Sequence, residues 1–211
     1  MDGLRLMTAP LVPEVRLFLA EDPTILWARL EAGAGKRLPP PYWASAWMGG
    51  QAVARYVLDH PELVADRKVL DLASGSGMVA IAAALAGAAT VVANDVDAYA
   101  AVAIRANAHA NGVRVVPLVE DLLDGRHDGA RQADVVLVGD ALYNDGLAGR
   151  LLPFLTVLAR GGARVVVGDP DRGWVPRASW DTLATYALPS AGPGEDAQRT
   201  ETSVLIPRGQ R

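Results

Sequence analysis

Residues 69–81, VLDLASGSGMVAI, carry the most informative pattern in this chain. Its first four residues are a largely apolar run typical of a buried strand, and the residues from Gly77 onward are typical of a helix. Between them, Gly75 and Gly77 allow a sharp turn and let a ligand approach the main chain. The helix would direct its free N–H groups and positive dipole end at that turn. The segment therefore predicts a nucleotide-type cofactor site on one loop.

Two cofactor classes are compatible with this turn. The spacing Gly75-x-Gly77-x-x-Ala80 fits the dinucleotide fingerprint. Asp95 ends the next apolar run, where an acid meets ribose hydroxyls in either class. Asp71 favours S-adenosylmethionine, because a carboxylate there repels a pyrophosphate but attracts an ammonium and a sulfonium. A glycine-rich turn in some other α/β domain is the remaining interpretation.

Composition narrows the function classes. The chain has 211 residues, 51% of them hydrophobic, which suits one α/β domain with a short extension. The formal net charge of −4 argues against a broad nucleic-acid-binding surface. There is no cysteine, and the three histidines (His60, His109, His127) lack metal-ligand spacing, so we expect no metal site. Neither a signal peptide nor a membrane span is indicated, and we expect a soluble, cytoplasmic protein.

Apolar runs and amphipathic segments alternate along the chain. We predict strands at 68–72, 90–94, 114–118, 134–139, 164–168 and 200–206, and helices at 15–32, 50–60, 77–85, 98–110, 147–160 and 180–186. The central strands are rich in valine and show little polar alternation, as parallel strands covered on both faces do. This alternation of strands and helices predicts an α/β fold with a doubly wound, mostly parallel sheet.

Acidic residues recur where predicted strands end. Asp71, Asp95, Asp140 and Asp169 each end a strand, and Asp121 lies just beyond another. A single aspartate there is usually a turn former or a helix cap. Five at corresponding positions predict a pocket, because ligands of such sheets bind outside the carboxyl ends of the strands.

The order of acids and glycines along the chain resembles that of class I (seven-stranded) S-adenosylmethionine-dependent methyltransferases: Asp71, Gly75, Gly77, Asp95, Asp121 and Asp140. The segment 41–51, PYWASAWMGGQ, and the spacing Asp140-x-x-Tyr143 make the resemblance narrower. Together with 168–172, GDPDR, they are similar to the bacterial branch of the electron-transfer flavoprotein β-subunit lysine methyltransferase family. The resemblance covers almost the whole chain.

This resemblance implies a Rossmann-like, seven-stranded sheet with an antiparallel C-terminal strand. Residues 1–40 would be a helical extension with its connector, and residues 41–211 the S-adenosylmethionine-binding domain. The implied cofactor-binding residues are Trp47, Asp71, Ala73, Gly75, Gly77, Asp95, Val96, Asp121 and Leu122. Among them, Asp71 and the Gly75 turn would hold the methionine portion, Asp95 the ribose and Asp121 the adenine.

The implied catalytic residues are Asp140 and Tyr143, which would face an incoming lysine amine. We expect the segment 168–176 to border this acceptor side with Asp169, Arg172 and Trp174, and the N-terminal helix with the segment PPPYWASAW to cover the cofactor. The chain departs from the family at Ala73, where a glycine is more common, and at Asn144, where an aspartate is usual.

The expected activity is protein-lysine N-methylation, with the electron-transfer flavoprotein β subunit as the leading partner by resemblance. A small-molecule N- or O-methyltransferase would use the same site with a different acceptor. A dinucleotide-dependent reductase of the short-chain type would need a Tyr-x-x-x-Lys pair, which the sequence lacks. A non-catalytic adenosine-binding module leaves the Asp140-x-x-Tyr143 spacing without a purpose.

Overall fold

The computed structural model describes residues 3–124, 132–189 and 199–210. An antiparallel hairpin opens the chain and consists of β1 (Leu4–Ala9) and β2 (Val12–Ala20). Two helices follow it, α1 (Pro23–Ala34) and α2 (Met48–Asp59). The alternating part contains β3 (Lys68–Leu72), α3 (Met78–Leu85), β4 (Thr90–Asp95), α4 (Ala98–Ala110), β5 (Val116–Val119), β6 (Val135–Val138), α5 (Asp145–Arg160) and β7 (Arg164–Asp169). Two long strands close the sheet, β8 (Trp180–Pro189) and β9 (Arg199–Pro207).

The main sheet has seven strands in the order β5-β4-β3-β6-β7-β9-β8. The five strands from β5 to β7 are parallel, whereas β9 is antiparallel to both of its neighbours, β7 and β8. This confirms the predicted doubly wound, mostly parallel sheet with its antiparallel C-terminal strand. The strand order reverses between β3 and β6, and a sheet of this kind opens a crevice at the carboxyl ends of such strands.

Both faces of the sheet are buried, which explains the valine-rich runs. Along β3, Val69 packs with helices α2, α3 and α4, whereas Leu70 and Leu72 pack with helix α5 on the opposite face. The same alternation continues in β6 and β7. The scarcity of polar residues in these strands is therefore a consequence of two-sided burial.

The prediction of a helix over 15–32 is wrong in its first part. Residues Val15, Leu17 and Leu19 alternate with more exposed neighbours in β2, which is the period of a strand with one buried face. The helix begins only at Pro23, because the Asp22 side chain accepts hydrogen bonds from the backbone of the first turn. The N-terminal extension is thus a hairpin followed by a helix, and its boundary at residue 40 stays a prediction.

The prediction of a helix over 180–186 is also wrong. These residues lie in β8, where Trp180 pairs with Pro207 and Tyr186 pairs with Thr202 of β9. Pairing with a distant strand overrides a weak local helix preference. Within the part of the chain that the structure describes, no helix combines the length and apolarity needed to cross a lipid bilayer.

Candidate active site

A cavity of about 910 Å³ lies at the carboxyl ends of β3, β4 and β6. Nearly all the residues expected at the site line it: Trp47, Asp71, Ala73, Gly75, Asp95, Val96, Asp121, Leu122, Asp140 and Tyr143. Gly77 does not. It takes a left-handed φ of 82° at the start of α3, where a Cβ atom would lie 3.2 Å from a side-chain carbon of Ile104. Gly77 therefore allows α3 and α4 to approach each other, while Gly75 borders the cavity.

Asp71 lies at the end of β3 with only 1% of its surface exposed. Its Oδ2 atom accepts hydrogen bonds from Ser74 Oγ at 2.5 Å and from the backbone N–H of Ala80 at 3.0 Å. Its Oδ1 atom is buried without a hydrogen-bond partner among the described residues. Burial raises the pKa of Asp71 to about 7, the charge of Asp95 acts in the same direction, and the two hydrogen bonds oppose the shift. A cationic donor at Oδ1 would satisfy this carboxylate.

The glycine turn is held in place by Asp95, at the end of β4. One carboxylate oxygen accepts the N–H of Gly75 at 2.8 Å, and the other accepts the N–H of Asp97 at 3.0 Å. Burial raises the pKa of Asp95 as well. Ala73, at the start of the turn, has a φ of 56°, a left-handed conformation that costs an alanine more than a glycine.

Asn107 of α4 supports the turn from behind. This fully buried side chain donates to the carbonyl of Ser76 at 2.7 Å and accepts the N–H of Phe18 in β2 at 2.7 Å. One amide thus connects the glycine turn with the N-terminal hairpin. Neither contact was indicated by the sequence, because an asparagine inside a helical pattern carries no signal of its distant partners.

Asp121 and Leu122 lie beyond β5 on the far wall of the cavity. The Asp121 carboxylate accepts from the Arg150 guanidinium at 2.7 Å and from the backbone N–H of Leu123 at 3.0 Å. Arg150 of α5 also lines the cavity and was not expected at the site. Leu122 is buried, whereas Val96 has 70% of its surface exposed at the cavity edge.

Three aromatic residues form a cluster at the cavity mouth: Tyr42, Trp47 and Tyr143. The Tyr42 ring centroid lies 5.8 Å from that of Trp47 and 5.5 Å from that of Tyr143. The indole N–H of Trp47 donates to the Tyr42 carbonyl at 2.8 Å, which fixes the ring. Burial raises the pKa of the Tyr143 hydroxyl, with smaller effects from Tyr42 and Asp95, so this hydroxyl stays protonated at neutral pH. Tyr42 was expected only as part of the covering segment PPPYWASAW, and its place in this cluster was not foreseen.

Asp140 follows β6, with 3% of its side chain exposed. Arg172 holds it through two bonds, Nε to Oδ1 at 3.0 Å and Nη2 to Oδ2 at 3.1 Å. The N–H of Gly49, in the first turn of α2, donates to Oδ2 at 3.2 Å. Asp140 therefore lies at a helix N-terminus and in a bidentate ion pair, both of which stabilise its negative charge.

The segment after β7 reaches the cavity through Arg172 only. Asp169 is 1% exposed and accepts the N–H of Arg172 at 3.2 Å and the guanidinium of Arg177 at 2.9 Å. Neither Asp169 nor Trp174 is among the cavity-lining residues, and neither is any residue of α1. The segment 39–47, in contrast, lines the cavity, as expected for PPPYWASAW.

Among the described residues, no group of histidine, aspartate and glutamate side chains has the arrangement of a metal site. His127 lies outside these residues.

The sequence of this chain is similar to those of known methyltransferases. The model of the ribosomal protein L11 methyltransferase (PrmA) family matches residues 55–140. The electron transfer flavoprotein beta subunit lysine methyltransferase of Danio rerio is 40% identical over 200 residues, which cover 92% of this chain and 76% of that protein. The matched span covers most of the chain and therefore contains the cavity and both sets of expected site residues.

Solved structures share the fold at low sequence identity. A putative RNA methyltransferase from Pyrococcus horikoshii has a TM-score of 0.57 at 14% identity, covering 88% of this chain and 98% of its own. A putative tRNA (m1A22) methyltransferase from Streptococcus pneumoniae, in complex with S-adenosyl-L-methionine, has a TM-score of 0.51 at 15% identity, covering 73% of this chain and 71% of its own. These likenesses concern the fold alone.

Proposed function

The chain belongs to the electron transfer flavoprotein β-subunit lysine methyltransferase family, and we propose that it uses S-adenosylmethionine to methylate lysine side chains on the β subunit of an electron transfer flavoprotein. The family decides between the two chemistries that the glycine turn left open, in favour of methyl transfer. The observation that carries the proposal is one cavity lined by two sets of residues. It contains both the buried Asp71 carboxylate beside the glycine turn and the aromatic cluster with Asp140.

The residues around the glycine turn fit S-adenosylmethionine. Its ammonium would complete the hydrogen bonding of Asp71, whose Oδ1 atom lacks a partner among the described residues. Asp95 and the exposed Val96 would lie beside the ribose, and Asp121 and Leu122 beside the adenine. When bound, the cofactor supplies a methyl group on a sulfonium, and the electron pair of the broken C–S bond stays on sulfur.

The aromatic cluster and Asp140 would prepare the amine. Deprotonating a free lysine at pH 7 costs about 4–5 kcal/mol, given a reference pKa of ~10.4. Tyr42, Trp47 and Tyr143 would surround the lysine side chain and exclude water, and this desolvation lowers the pKa of the amine. The Tyr143 hydroxyl would accept a hydrogen bond from the amine, and the released proton would pass to water. Most of the acceleration would come from positioning.

A methylation reaction on the purified flavoprotein β subunit, followed by intact-mass spectrometry, tests this function. We expect added multiples of one methyl group on lysine residues. Asp140→Ala is the matched variant and should lower the methylation rate far more than the affinity for S-adenosylhomocysteine. Methylation of a small amine or phenol, with no mass added to the β subunit, would instead indicate a small-molecule methyltransferase. The cytoplasmic location stays a prediction.

A further inference from the structure

The position of Asp140 raises a chemical problem for amine methylation. A free carboxylate beside the acceptor nitrogen would stabilise the ammonium form, which has no lone pair with which to attack. The structure gives Asp140 a different electrostatic state. Its charge is already compensated by the bidentate contact with Arg172 and by the Gly49 N–H at the start of α2.

We propose that Arg172 is a positioning residue that neutralises Asp140, so that this carboxylate orients the acceptor amine without holding it as an ammonium. The inference rests on the proposed lysine methylation and names the side chain that makes Asp140 compatible with it. Arg172 acts on the amine through Asp140 and belongs to the same cavity wall.

The hydrogen-bond geometry leaves room for this role. Three N–H groups occupy Asp140, one from Gly49 and two from Arg172. A carboxylate offers about four acceptor positions, so one remains for a substrate N–H. A neutral amine can donate to that position, while the positive charge that Asp140 would otherwise attract is already supplied by the guanidinium.

Arg172 is itself fixed by its surroundings. Its backbone N–H donates to the buried carboxylate of Asp169, and the Arg177 guanidinium compensates the charge of Asp169 in turn. Arg177 also contacts the exposed Asp171 at 3.1 Å. The Arg172 side chain is one-third exposed, whereas the carboxylate it holds is buried. The backbone of Arg172 is therefore held by Asp169, while its guanidinium extends to the buried Asp140 carboxylate.

Other charged or titratable groups lie on the same side of the molecule. Asp169 interacts electrostatically with Asp140 and also with Arg177 and Asp171, and Tyr42 and Tyr143 line the same cavity as Asp140. Helix α2 contributes its N-terminal dipole through Gly49. Among the described contacts, only Arg172 brings a positive side chain within hydrogen-bond distance of the Asp140 carboxylate.

The test is the pH dependence of the methylation rate for the wild-type protein and for Arg172→Gln, with the flavoprotein β subunit and the cofactor at saturation. Without the guanidinium, the Asp140 charge should move the midpoint of the profile to higher pH by about one unit or more. The loss should then be about tenfold or more at pH 7 and should shrink as the pH approaches 10.

Two further variants separate charge from structure. Arg172→Lys keeps the positive charge and should keep the wild-type midpoint at a lower rate. The double variant Asp140→Asn/Arg172→Gln removes both charges and should return the midpoint to its wild-type position. Arg208→Gln removes an arginine that pairs with Asp181 away from the cavity, and it should leave the profile unchanged.

Affinity for S-adenosylhomocysteine, measured by calorimetry, reports whether each variant retains its fold. A parallel drop of the Arg172→Gln rate at every pH, or a shifted midpoint in Arg172→Lys, would overturn the role of Arg172. If Arg172→Gln fails to bind the product, the two other variants provide the test. Wild-type midpoints for Arg172→Lys and for the double variant would support the role of Arg172, and shifted midpoints would overturn it. A wild-type protein inactive on the β subunit at every pH would instead refute the proposed function.

Discussion

Gly49 and Gly168 are in direct backbone contact: a Cβ atom on Gly49 would lie 2.9 Å from the Gly168 carbonyl oxygen, and one on Gly168 would overlap the Gly49 carbonyl. The contact brings the first turn of α2 against β7. It is reinforced by Gly139 at the end of β6, where a Cβ atom would lie 3.1 Å from the Gly50 Cα. Backbone proximity of this kind lets the Gly49 N–H reach Asp140.

Gly168→Ala should therefore destabilise the protein by about 1–3 kcal/mol or more, because α2 must move away from the sheet to admit a methyl group. Gly149→Ala is the matched control. Gly149 lies inside α5, and a Cβ atom added there would have no neighbour within 4 Å, so alanine should raise the free energy of unfolding by about 0.5–1 kcal/mol. Urea unfolding measures the free energy of unfolding of both variants. Equal midpoints for Gly168→Ala and the wild type would contradict the packing argument.

The affinity for S-adenosylhomocysteine should fall as the pH drops below 7. The pKa of Asp71 is about 7, since burial disfavours its charged form, and the ligand ammonium binds only to the carboxylate. Each pH unit below that value should weaken binding by up to about tenfold. Calorimetry between pH 5.5 and 8 measures the slope. Asp71→Asn should bind weakly at every pH, and an unchanged wild-type affinity across this range would remove Asp71 from the ligand site.

The same carboxyl affects the stability of the ligand-free protein in a defined direction. Its pKa is about 7 in the folded protein and roughly 3.9 in an unfolded chain, so the folded state binds the proton more tightly. The contribution of this carboxyl to the free energy of unfolding is therefore fully present below pH ~4 and is lost as the pH rises toward 7. The thermal unfolding midpoint of Asp71→Asn should exceed that of the wild type at pH 8, with a smaller difference at pH 5.

Asp95→Ala should weaken cofactor affinity by roughly 1.5–3 kcal/mol, because the proposed charge-assisted hydrogen bond to the ribose and the bond that anchors the Gly75 N–H would both be lost. Asp134→Ala serves as control. Asp134 accepts the backbone N–H of Lys68 at the opposite edge of the sheet, so its removal costs a comparable bond without touching the cavity. Loss of affinity in both variants would mean that Asp95 acts only through general stability.

Asn107→Ala should lower both stability and cofactor affinity, since it leaves the carbonyl of Ser76 and the N–H of Phe18 without their partner. Each unsatisfied buried group costs about 1–3 kcal/mol. Asn111→Ala provides the comparison, because Asn111 bonds the hairpin at Arg16 but does not contact the glycine turn. It should lower stability alone. Identical product affinities for the two variants would show that the hairpin is not coupled to the turn.

Local patterns were sufficient for the elements that their own side chains specify. Strand β3 and helix α4 have the predicted bounds, since two-sided burial and an alanine-rich helical period are visible in the sequence itself. Strand β8 was not visible, because its conformation depends on pairing with β9, whose residues lie later in the chain. The period-2 burial of β2 was present in the sequence but was obscured by the helical segment that follows.

The site shows the same division. The glycine turn and four of the five strand-end acids were predictable, because a parallel sheet places them at one edge, whereas Asp169 does not line the cavity. Arg172 was expected on the acceptor side, but its ion pair with Asp140, 32 residues away, was not predictable, and neither was the ion pair of Arg150 with Asp121, 29 residues away. A linear sequence indicates that a carboxylate ends a strand, but the spatial order of strands and helices decides which guanidinium reaches it.

The insertion of β9 between β7 and β8 has a consequence for protein synthesis. A growing chain can assemble the parallel strands β3, β4, β5, β6 and β7 as each emerges, but β7 remains an open edge until residues 199–207 have been made. Val165, Val166 and Val167 of that edge are fully buried in the finished protein. An exposed apolar edge of this kind recruits strands from other chains. Truncated products that lack β9 should therefore aggregate, whereas a chain that contains β9 has this edge covered.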